Sequence, residues 1–504
     1  MTNILEFLEQ TAKRLPDKTA FADVNASLTF SQLEKQSRSI GTALQRLSSP
    51  REPVVFFLEK STLCVAGFLG AVYAGCFYTL IDPKLPASRV ASILDTLQAS
   101  VLCTDEQHRE QAQALPFRGS LVVLEDIRNT FPDHSALLRI RELAADTDPL
   151  YAIFTSGSTG VPKGVAVCHR SVLDFIPQFT ALMGIEEEDV LGNQAPFDFD
   201  VSVKDIYSAL YSGATVHIIP RAYFSFPTKL MDYLCERRVT TLVWAVSAMC
   251  FVSTMRGFDY RVPADVRKVI FSGEVMPVKH LNIWRTFLPR AKYFNVYGPT
   301  EITCNCTYYA IERSFSEEEI LPIGRPFPNE RVFLLDEEDH LVTAPGALGE
   351  LCVSGTALAL GYYNDPERTA QVFVQNPLHH RYPETIYRTG DLARYDQDGN
   401  LVYVSRKDFQ IKHMGHRIEL GEIDAVLGRQ RGVERACCLY YPEKQRLLAF
   451  YLGSAEKREL FAALRQILPG FMLPNALIPC TGWPLTKNGK TDRARLLADY
   501  LERG

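Results

Sequence analysis

Residues 154–165 read Phe-Thr-Ser-Gly-Ser-Thr-Gly-Val-Pro-Lys-Gly-Val. Three glycines, four hydroxyl side chains and one lysine stand here between two apolar runs. Glycine lets backbone N–H groups close around an anion, and hydroxyl and ammonium groups add further donors. The stretch therefore predicts a loop that binds a polyphosphate, with a flexible Gly/Ser turn between strands as the alternative. It is not a Walker A loop, because the Gly-x4-Gly-Lys-Ser/Thr spacing is missing.

The bulk composition is that of an ordinary globular protein. The chain has 504 residues, of which 46% are hydrophobic and 22% charged, and this length predicts two or more domains. A net charge of −5 argues against a general nucleic-acid binder. The 12 cysteines form no Cys-x-x-Cys pair and show no zinc spacing, and the N-terminus has no signal-peptide pattern. We therefore expect a cytoplasmic protein with free thiols, in which Cys304 and Cys306 are packing residues.

One apolar segment raises the question of a membrane span. Residues 61–81 contain no charged side chain and are long enough to cross a bilayer. However, small residues recur in this segment at a helix-packing spacing, and Asp82-Pro83 ends it. We predict a buried helix that runs into a buried strand, and hence no membrane partner; a membrane span is the lesser alternative.

The order of patterns along the chain predicts an α/β protein. Strand-like and helix-like segments alternate through roughly the first 300 residues, which indicates layers of helices on sheets. Strands are predicted at 53–58, 120–124, 215–219 and 268–271, and helices at 30–47 and 227–237. From about 330 to 405 the pattern changes to strands and turns, including a hairpin at 396–403. A boundary near Lys407–Asp408 separates a last segment of about a hundred residues.

Two further motifs are suited to nucleotide chemistry. In Asn295-Val-Tyr-Gly-Pro-Thr-Glu, Tyr297 could stack on a purine and Glu301 could hold Mg²⁺ beside phosphates. The alternative is a strand-to-turn corner with an exposed acid. In Tyr387-Arg-Thr-Gly-Asp, the carboxylate of Asp391 could accept both hydroxyls of a ribose, and an ordinary Asp turn is the alternative.

Two charged motifs lie near the C-terminus. The segments 405–412 and 415–422 are densely charged, and read alone they fit a solvated hairpin followed by an amphipathic helix. In Pro484-Leu-Thr-Lys-Asn-Gly-Lys-Thr-Asp-Arg, Lys490 stands between Gly489 and Thr491 and could reach an active site as a mobile cation. Read alone, the second motif fits a solvated turn better.

Taken together and in this order, these segments resemble the adenylate-forming superfamily, which includes amino-acid adenylation domains of nonribosomal peptide synthetases, acyl-CoA synthetases and luciferases. The likeness extends over nearly the whole chain, through motifs at 28–33, 74–83, 349–355, 361–363 and 468–474. It implies an α/β fold with a large N-terminal domain of layered α/β subdomains and a β-barrel-like subdomain, followed by a small mobile α+β C-terminal domain. We therefore expect an adenylation core at 1–407 and a mobile domain at 408–504 that carries Lys490.

The resemblance also implies roles for individual residues. ATP and Mg²⁺ are the expected cofactors, with Glu301 on the metal and Lys490, Glu301 and Thr300 as catalytic residues. Lys490 would bridge the substrate carboxylate and the α-phosphate, and Asp408 would be the hinge of the mobile domain. The residues implied in ATP binding are Thr155, Ser156, Gly157, Ser158, Thr159, Gly160, Lys163, Asn295, Val296, Tyr297, Gly298, Pro299, Thr300, Asp391, Tyr403, Arg406 and Lys490.

The stretch Phe197-Asp-Phe-Asp-Val-Ser-Val-Lys-Asp-Ile favours the amino-acid branch of the superfamily. In that branch the aspartate that matches Asp200 binds the substrate ammonium, which needs a fixed carboxylate when it is partly desolvated. The chain most resembles D-alanine–D-alanyl carrier protein ligases, but those have Cys where Ser272 stands and an apolar residue where Lys204 stands. The implied substrate positions are Asp200, Val201, Lys204, Val243, Ile270, Ser272, Val296, Cys304 and Asn305.

The identity of the amino acid stays open at this point. It could be D-alanine or another small or polar amino acid. A buried lysine needs a compensating group, so one hypothesis is that Lys204 binds an acidic or strongly polar substrate side chain. The alternative is that Lys204 reaches outward to solvent or pairs with Asp205.

The expected acceptor is the phosphopantetheine thiol of a carrier protein. No Gly-Gly-x-Ser carrier motif follows residue 493 and no condensation motif occurs, so we expect the carrier either to be a separate protein that acts in trans or to belong to a longer protein of which this chain is a part. An acyl-CoA synthetase-like ligase that makes an acyl-CoA thioester is the alternative function, and Asp200 argues against it.

Overall fold

The computed structural model describes residues 1–157, 161–408, 410–485 and 491–503, without the side chain of Arg503. Their contacts divide the chain into two compact units. The first contains residues 1–83, 97–153 and 164–407, and the second contains 84–96, 154–163 and 408–504. The second unit thus takes in two segments that the predicted division at 407/408 assigns to the core, and that division stays a prediction.

Helices and strands alternate through most of the chain. The helices are α1 (Leu5–Arg14), α2 (Phe30–Leu44), α3 (Thr62–Tyr73), α4 (Ala87–Leu97), α5 (Arg109–Gln113), α6 (Leu124–Ile127), α7 (His134–Leu143), α8 (His169–Met183), α9 (Val201–Ser212), α10 (Pro227–Glu236), α11 (Val246–Thr254), α12 (Gly257–Tyr260), α13 (Val278–Phe287), α14 (Pro366–Val372), α15 (Leu420–Gly428), α16 (Lys457–Arg465) and α17 (Arg493–Arg503). The strands are β1 (Thr19–Ala22), β2 (Ser27–Thr29), β3 (Pro53–Phe57), β4 (Phe77–Ile81), β5 (Val101–Thr104), β6 (Ser120–Val123), β7 (Pro149–Thr155), β8 (Lys163–Cys168), β9 (Val190–Asn193), β10 (Thr215–Ile218), β11 (Thr241–Ala245), β12 (Lys268–Ser272), β13 (Lys292–Tyr297), β14 (Thr307–Ala310), β15 (Arg325–Pro326), β16 (Glu330–Leu335), β17 (Leu341–Val342), β18 (Gly349–Gly355), β19 (Gly361–Tyr362), β20 (Phe373–Gln375), β21 (Thr385–Tyr395), β22 (Leu401–Arg406), β23 (Gln410–His413), β24 (His416–Glu419), β25 (Val433–Tyr441), β26 (Arg446–Gly453) and β27 (Ala476–Cys480).

Two large, mainly parallel sheets form the first part of the fold. One has nine strands in the order β15-β14-β13-β12-β11-β9-β10-β1-β2, and the other has seven in the order β19-β8-β7-β4-β3-β5-β6. A single buried apolar cluster includes residues of both sheets and of α1, α2, α3, α8 and α9. The mixed α/β class is therefore confirmed, and the six strand and helix segments predicted from the sequence are present, with α2 and α10 ending earlier than predicted.

The uncharged segment 61–81 is a core element. It forms the buried helix α3 and then the buried strand β4. A Cβ on Gly70 would lie 2.5 Å from a methyl carbon of Ile40, so the α2–α3 contact depends on glycine at this position. Within the described ranges, no helix has both the length and the apolarity needed to cross a bilayer.

The strand-and-turn region forms a six-stranded antiparallel sheet. Its order is β17-β16-β18-β21-β20, and β22 pairs with β21 on the far side of the Asp396–Asn400 turn. The second unit has its own apolar core, in which α15 and α16 pack on β25 and β26. Its strands form the antiparallel pair β23–β24 and the three-stranded sheet β25-β26-β27.

A buried histidine fastens the first helix to the fold. His169 begins α8 and is 3% exposed, and its Nδ1 accepts a hydrogen bond of 3.2 Å from the backbone N–H of Ile4. Burial lowers the pKa of His169 to about 4, so the imidazole is neutral at pH 7 and can accept this bond. Protonation of Nδ1 would remove the acceptor and place a charge in the core.

We therefore predict that His169 makes the protein sensitive to mild acid. The folded pKa lies below the ordinary value of about 6.5, so the unfolded chain binds more protons between these two values. The contribution of the neutral His169 to the free energy of unfolding should be fully present above pH 6.5. It should fall by up to about 3 kcal/mol as the pH drops towards 4. The measurement is the melting temperature at several pH values for the wild type and for His169→Asn, which keeps an acceptor but does not titrate. Parallel pH curves for the two proteins would contradict the prediction.

Candidate active site

Two buried side chains, of Tyr297 and Asp391, and the half-buried side chain of Arg406 meet where β13 reaches the antiparallel sheet. The hydroxyl of Tyr297 donates to Oδ2 of Asp391, and the guanidinium of Arg406 donates to Oδ1 of the same carboxylate at 2.7 Å. Asp391 and Arg406 lie opposite each other on β21 and β22. Burial raises the pKa of Tyr297 well above its ordinary value, with Asp391 acting in the same direction, so the phenol keeps its proton. The structure thus brings together three residues that the sequence assigns to one nucleoside.

The other predicted nucleoside residues lie on the same elements. Asn295 is buried on β13, and its amide donates to the carbonyl of Pro322 at 2.8 Å. Val296 is buried in the core between Asn295 and Tyr297. Tyr403 is half-buried on β22 and packs against the core of the antiparallel sheet.

The turn after β13 folds tightly back on itself. A Cβ on Gly298 would lie 2.4 Å from Cα of Asn305, so this position requires glycine. Pro299 precedes a 3-10 turn at Thr300–Ile302, and the next two residues, Thr303 and Cys304, have positive φ angles of 49° and 77°. The N–H of Cys306 then donates to the carbonyl of Tyr297 at 2.8 Å and closes the turn.

The acid on this turn is buried. Glu301 is 0% exposed, and its Oε1 accepts a hydrogen bond of 2.8 Å from the hydroxyl of Tyr362. The corner with an exposed acid, which the sequence left open, is therefore wrong. Tyr362 lies in the family-like motif at 361–363, but its contact with Glu301 spans 61 residues of sequence and has no local signal. Thr300, beside it, is also buried.

A second polar group lies at the other end of this turn. Nζ of Lys204 donates to Oδ1 of Asn305 at 2.7 Å and to Oγ of Ser272 at 3.3 Å. Lys204, Asn305 and Ser272 are between 1% and 4% exposed. The ammonium also lies 5.9 Å from the ring centre of Phe179. Lys204 therefore does not reach outward to solvent, which was one of the two alternatives for it.

Asp200 immediately precedes α9, one helical turn before Lys204. Its backbone carbonyl accepts a hydrogen bond of 3.1 Å from Sγ of Cys304. Burial raises the pKa of Cys304 well above its ordinary value, so the thiol stays protonated and can donate. Asp200 and Lys204 thus both contact the segment 304–305, which agrees with the grouping expected from the sequence.

The apolar substrate positions lie on neighbouring parallel strands. Val243 on β11 pairs in register with Ile270 on β12, and β13 follows beside β12. Val243, Ile270 and Val296 share one buried cluster with Cys304 and with α9, and Val201 packs against it. Ser272 ends β12 at the carboxyl edge of the sheet, which is where α/β proteins of this topology place their sites.

The phosphate-loop residues lie in the second unit. Thr155 ends β7, and its hydroxyl is buried without a hydrogen-bond partner among the described residues. The Ser156 hydroxyl donates to the carbonyl of Arg417 at 2.7 Å and accepts from the N–H of Glu419 at 3.2 Å. Lys163 begins β8 and is 8% exposed. Ser158, Thr159 and Gly160 lie outside the described residues.

An ion pair that the sequence did not predict stands next to this loop. Arg89 on α4 donates to Glu422 on α15 at 2.7 Å, and both side chains are buried. Burial raises the pKa of Glu422, while the charge of Arg89 and the nearby N–H of Gly157 oppose that shift.

Two predicted residues remain. Asp408 is exposed and begins the C-terminal segment of the second unit, and its carboxylate accepts the N–H of Gln410 at 3.1 Å. Lys490 lies outside the described residues. Three metal-type ligands converge at Asp336, Glu338 and His340, an arrangement on an exposed turn that does not include Glu301.

These groups can do specific chemistry. A carboxylate paired with an arginine can accept two neighbouring hydroxyls, and a tyrosine beside it offers an aromatic face. An aspartate beside a helix start can bind an ammonium, and the buried hydroxyl of Thr155 can donate to a phosphate oxygen.

Comparison with known proteins agrees with this chemistry. The family model described as AMP-binding enzyme matches residues 8–363. Tyrocidine synthase 1 from Brevibacillus parabrevis is 30% identical over 98% of this chain, which spans 45% of that protein. Zwittermicin A synthase ZmaJ from Bacillus cereus is 32% identical over 98% of this chain and 94% of its own length.

The chain also resembles solved structures of nonribosomal peptide synthetase proteins. Holo-PA1221, an NRPS protein containing adenylation and PCP domains, superposes with a TM-score of 0.83 at 26% identity, covering 99% of this chain and 84% of that one. The chain spans between 6% and 45% of the length of seven curated relatives, among them tyrocidine synthase 1. The resemblance to a D-alanine ligase is not specifically supported by these matches. The chain belongs to the AMP-binding enzyme family, the adenylate-forming ligases, and the structures similar to it include a nonribosomal peptide synthetase protein that contains an adenylation domain.

Proposed function

We propose that this chain uses ATP to activate an amino acid as its aminoacyl-adenylate and then transfers the aminoacyl group to the phosphopantetheine thiol of a separate carrier protein. One observation carries the proposal: the segment 297–306 contacts Asp391 through Tyr297 and Asp200 through Cys304. The proposed nucleoside residues and the proposed ammonium ligand would thereby be connected by the two ends of one tight turn. This arrangement suits a reaction between a nucleotide and an amino acid.

In the first half-reaction, the substrate carboxylate attacks the α-phosphorus of ATP, an aminoacyl-adenylate forms and pyrophosphate leaves. Catalysis here consists of positioning and charge neutralisation, because negative charge spreads over the phosphoryl oxygens. Asp391 and Arg406 would hold the ribose, Tyr297 the base and Asp200 the ammonium. Lys490 would bring its charge to the substrate carboxylate and the α-phosphate, and Thr300 would add a hydroxyl donor.

The phosphate side would be held by the glycine-rich loop at 154–165. Thr155, Ser156, Gly157 and Lys163 are proposed to line the phosphate side of the loop, and the hydroxyl of Thr155, which has no hydrogen-bond partner among the described residues, supports this role. Ser158, Thr159 and Gly160 complete the predicted loop.

One residue of this site has a side chain that could bind a magnesium ion. Glu301 offers a carboxylate, the hard oxygen ligand that Mg²⁺ prefers, and Tyr362 orients it. When bound, the ion would neutralise charge on the phosphates. Glu301 is proposed as its protein ligand.

In the second half-reaction, a thiolate attacks the carbonyl carbon of the adenylate, a thioester forms and AMP leaves. The domain composition of PA1221 supports a carrier protein as the thiol donor. Rotation of segment 408–504 about Asp408 would remove Lys490 and admit the phosphopantetheine arm. Loading of free coenzyme A instead of a carrier would identify the alternative, an acyl-CoA synthetase-like ligase.

The cluster of polar side chains around Lys204 indicates which class of amino acid is the substrate. The buried side chains of Lys204, Asn305 and Ser272 bond to one another near the proposed ammonium ligand, and an acidic or carboxamide side chain could accept a further bond from the Lys204 ammonium, which an apolar side chain could not. Ser272 and Lys204 also depart from the D-alanine pattern. We therefore propose an amino acid with an acidic or carboxamide side chain, in preference to D-alanine.

Lys490→Ala should abolish most of the first half-reaction. One lost transition-state contact is worth roughly 3–4 kcal/mol, or about 10²–10³-fold in rate. The measurement is amino-acid-dependent ATP–pyrophosphate exchange over a panel of amino acids of both hands. Lys487→Ala, a charge removed from the same segment, is the control and should keep the wild-type rate. Near-normal exchange by Lys490→Ala would disprove the assignment.

Lys204→Met should change the choice of amino acid and leave the reaction intact. Loss of a charged hydrogen bond should lower exchange with aspartate, glutamate or their amides by about 10–100-fold relative to alanine. Asp200→Asn is the contrasting variant, because it should reduce exchange with every amino acid. If the wild type prefers alanine to the acidic and carboxamide substrates, the proposed substrate class is wrong.

Asp408→Pro should separate the two half-reactions. Proline fixes φ and would restrict the proposed rotation, so pyrophosphate exchange should stay within about twofold of wild type while aminoacyl loading of the carrier is lost. Loading is read by intact-protein mass spectrometry of a phosphopantetheinylated carrier, with Asp408→Ala as control. Equal loss of exchange and loading would argue against a hinge at this residue.

A further inference from the structure

A lysine outside the predicted site has its ammonium group surrounded by main-chain oxygens. Lys60 follows β3, and its Nζ lies 2.9 Å from Oδ1 of Asn193 and 2.9 Å from the carbonyl of Gln194. The carbonyls of Asn193 and Ala195 lie 3.4 Å away. Four acceptors from three consecutive residues therefore converge on one side chain, which follows a strand of the seven-stranded sheet. Lys60 thus connects the seven-stranded sheet to the end of β9 in the nine-stranded sheet.

The side-chain amide of Asn193 bridges Lys60 and α9. Its Oδ1 accepts from Lys60, and its Nδ2 donates to Oδ2 of Asp205 at 2.7 Å. Both Asn193 and Asp205 are 0% exposed. A cation, an amide and an anion thus form one continuous hydrogen-bonded row, in which each bond polarises the next.

This row fixes both ends of the segment that carries the proposed ammonium ligand. Asn193 ends β9, Asp205 lies in the second turn of α9, and Asp200 lies between them. Residue 194 is also held, because its side-chain oxygen accepts the N–H of Ala245 at the end of β11. Loops that are fastened at both ends hold their side chains with little freedom, which binding sites require.

The two charges of the row depend on each other. Burial lowers the pKa of Lys60 to about 7, and the carboxylates of Asp205 and Asp198 oppose this shift. Burial likewise raises the pKa of Asp205 to about 7, and its bond from Asn193 and the charges of Lys204 and Lys60 oppose it. Removing Lys60 would therefore leave Asp205 with less compensation and loosen the start of α9.

We propose that Lys60 is a positioning residue for the amino-acid site: through Asn193 and Asp205 it holds Asp200 and Lys204 in the geometry that binds the substrate. This role rests on the proposed function. It differs from the roles assigned above because Lys60 touches no substrate. It acts only on the backbone and the helix that present the binding groups.

The test compares kinetic constants of Lys60→Met and Lys60→Arg with those of the wild type in amino-acid-dependent pyrophosphate exchange. Misplaced binding groups should raise the KM for the amino acid by about ten- to hundredfold in Lys60→Met. The KM for ATP should stay within about twofold, because the nucleoside groups lie on β13, β21 and β22. Arginine keeps charge and donors, so Lys60→Arg should recover most of the amino-acid affinity.

Lys268→Met is the matched control. Lys268 is half-buried and forms an ion pair with the buried Asp189, which lies just before β9, at the opposite end of the strand from Asn193. Its removal should lower the melting temperature in the same way as Lys60→Met, yet leave the KM values for ATP and amino acid unchanged. If Lys60→Met does not fold, Lys60→Gln, which keeps two donors and loses the charge, should show an intermediate amino-acid KM.

The outcomes separate the two proposals. If the wild type shows no exchange with any amino acid, the proposed function is rejected, and the role of Lys60 with it. If the wild type exchanges and Lys60→Met, or Lys60→Gln in its place, keeps the wild-type KM for the amino acid, only the positioning role is rejected. The same follows if both KM values rise equally, because a general loss of structure would then explain the effect.

Discussion

The tight return of the chain at residues 298–306 is the constraint on which the site depends. Gly298 passes so close to Asn305 that a single methyl group would collide with the backbone. Because the turn closes there, residues on its two sides contact different partners: Tyr297 meets Asp391, while Cys304 and Asn305 meet the start of α9. Glu301 lies between them, with its carboxylate held by Tyr362. Two positive φ angles at Thr303 and Cys304 carry the strain of this geometry, and strain of this kind is concentrated at functional sites.

Polar groups, more than apolar packing, set the position of α9 in the fold. The helix packs in a large apolar cluster that would tolerate small shifts. Its hydrogen bonds allow less freedom, because Tyr207 pairs with Tyr78 at 2.8 Å and Asp205 with Asn193 at 2.7 Å. A buried donor or acceptor that loses its partner costs more than a displaced methyl group. The bonds therefore select one position among those that the apolar packing would accept.

Features that depend on neighbouring residues could be predicted from the sequence, whereas contacts between residues far apart in the chain could not. Segment 61–81 could be read as helix and strand because its small residues and the Asp82-Pro83 stop lie within the segment itself. The grouping of Tyr297, Asp391 and Arg406 came from motifs whose order resembles a family. Nothing near Glu301 indicates that Tyr362 binds it, and Arg89 carries no sign of its partner Glu422. Lys60 is a similar case, because three of its four acceptors are main-chain carbonyl oxygens, which every residue has and no pattern distinguishes. Burial of Glu301 was also hidden, since a charged residue in a turn is usually exposed.

The spacing of Asp200 and Lys204 has a consequence for any amino acid that lies beside them. Four residues along a helix advance by about 6 Å and return to nearly the same face, so the two side chains present opposite charges one turn apart. A bound α-amino acid carries its ammonium at one end of a short chain, and only a side chain that accepts hydrogen bonds would complement the other charge. An alanine would meet the Asp200 end alone and leave Lys204, Asn305 and Ser272 to satisfy one another, as they do in this structure. That mutual bonding lowers the penalty of an empty subsite, so the proposed selectivity has to come from the stronger bonds that an anionic or carboxamide side chain makes to the ammonium.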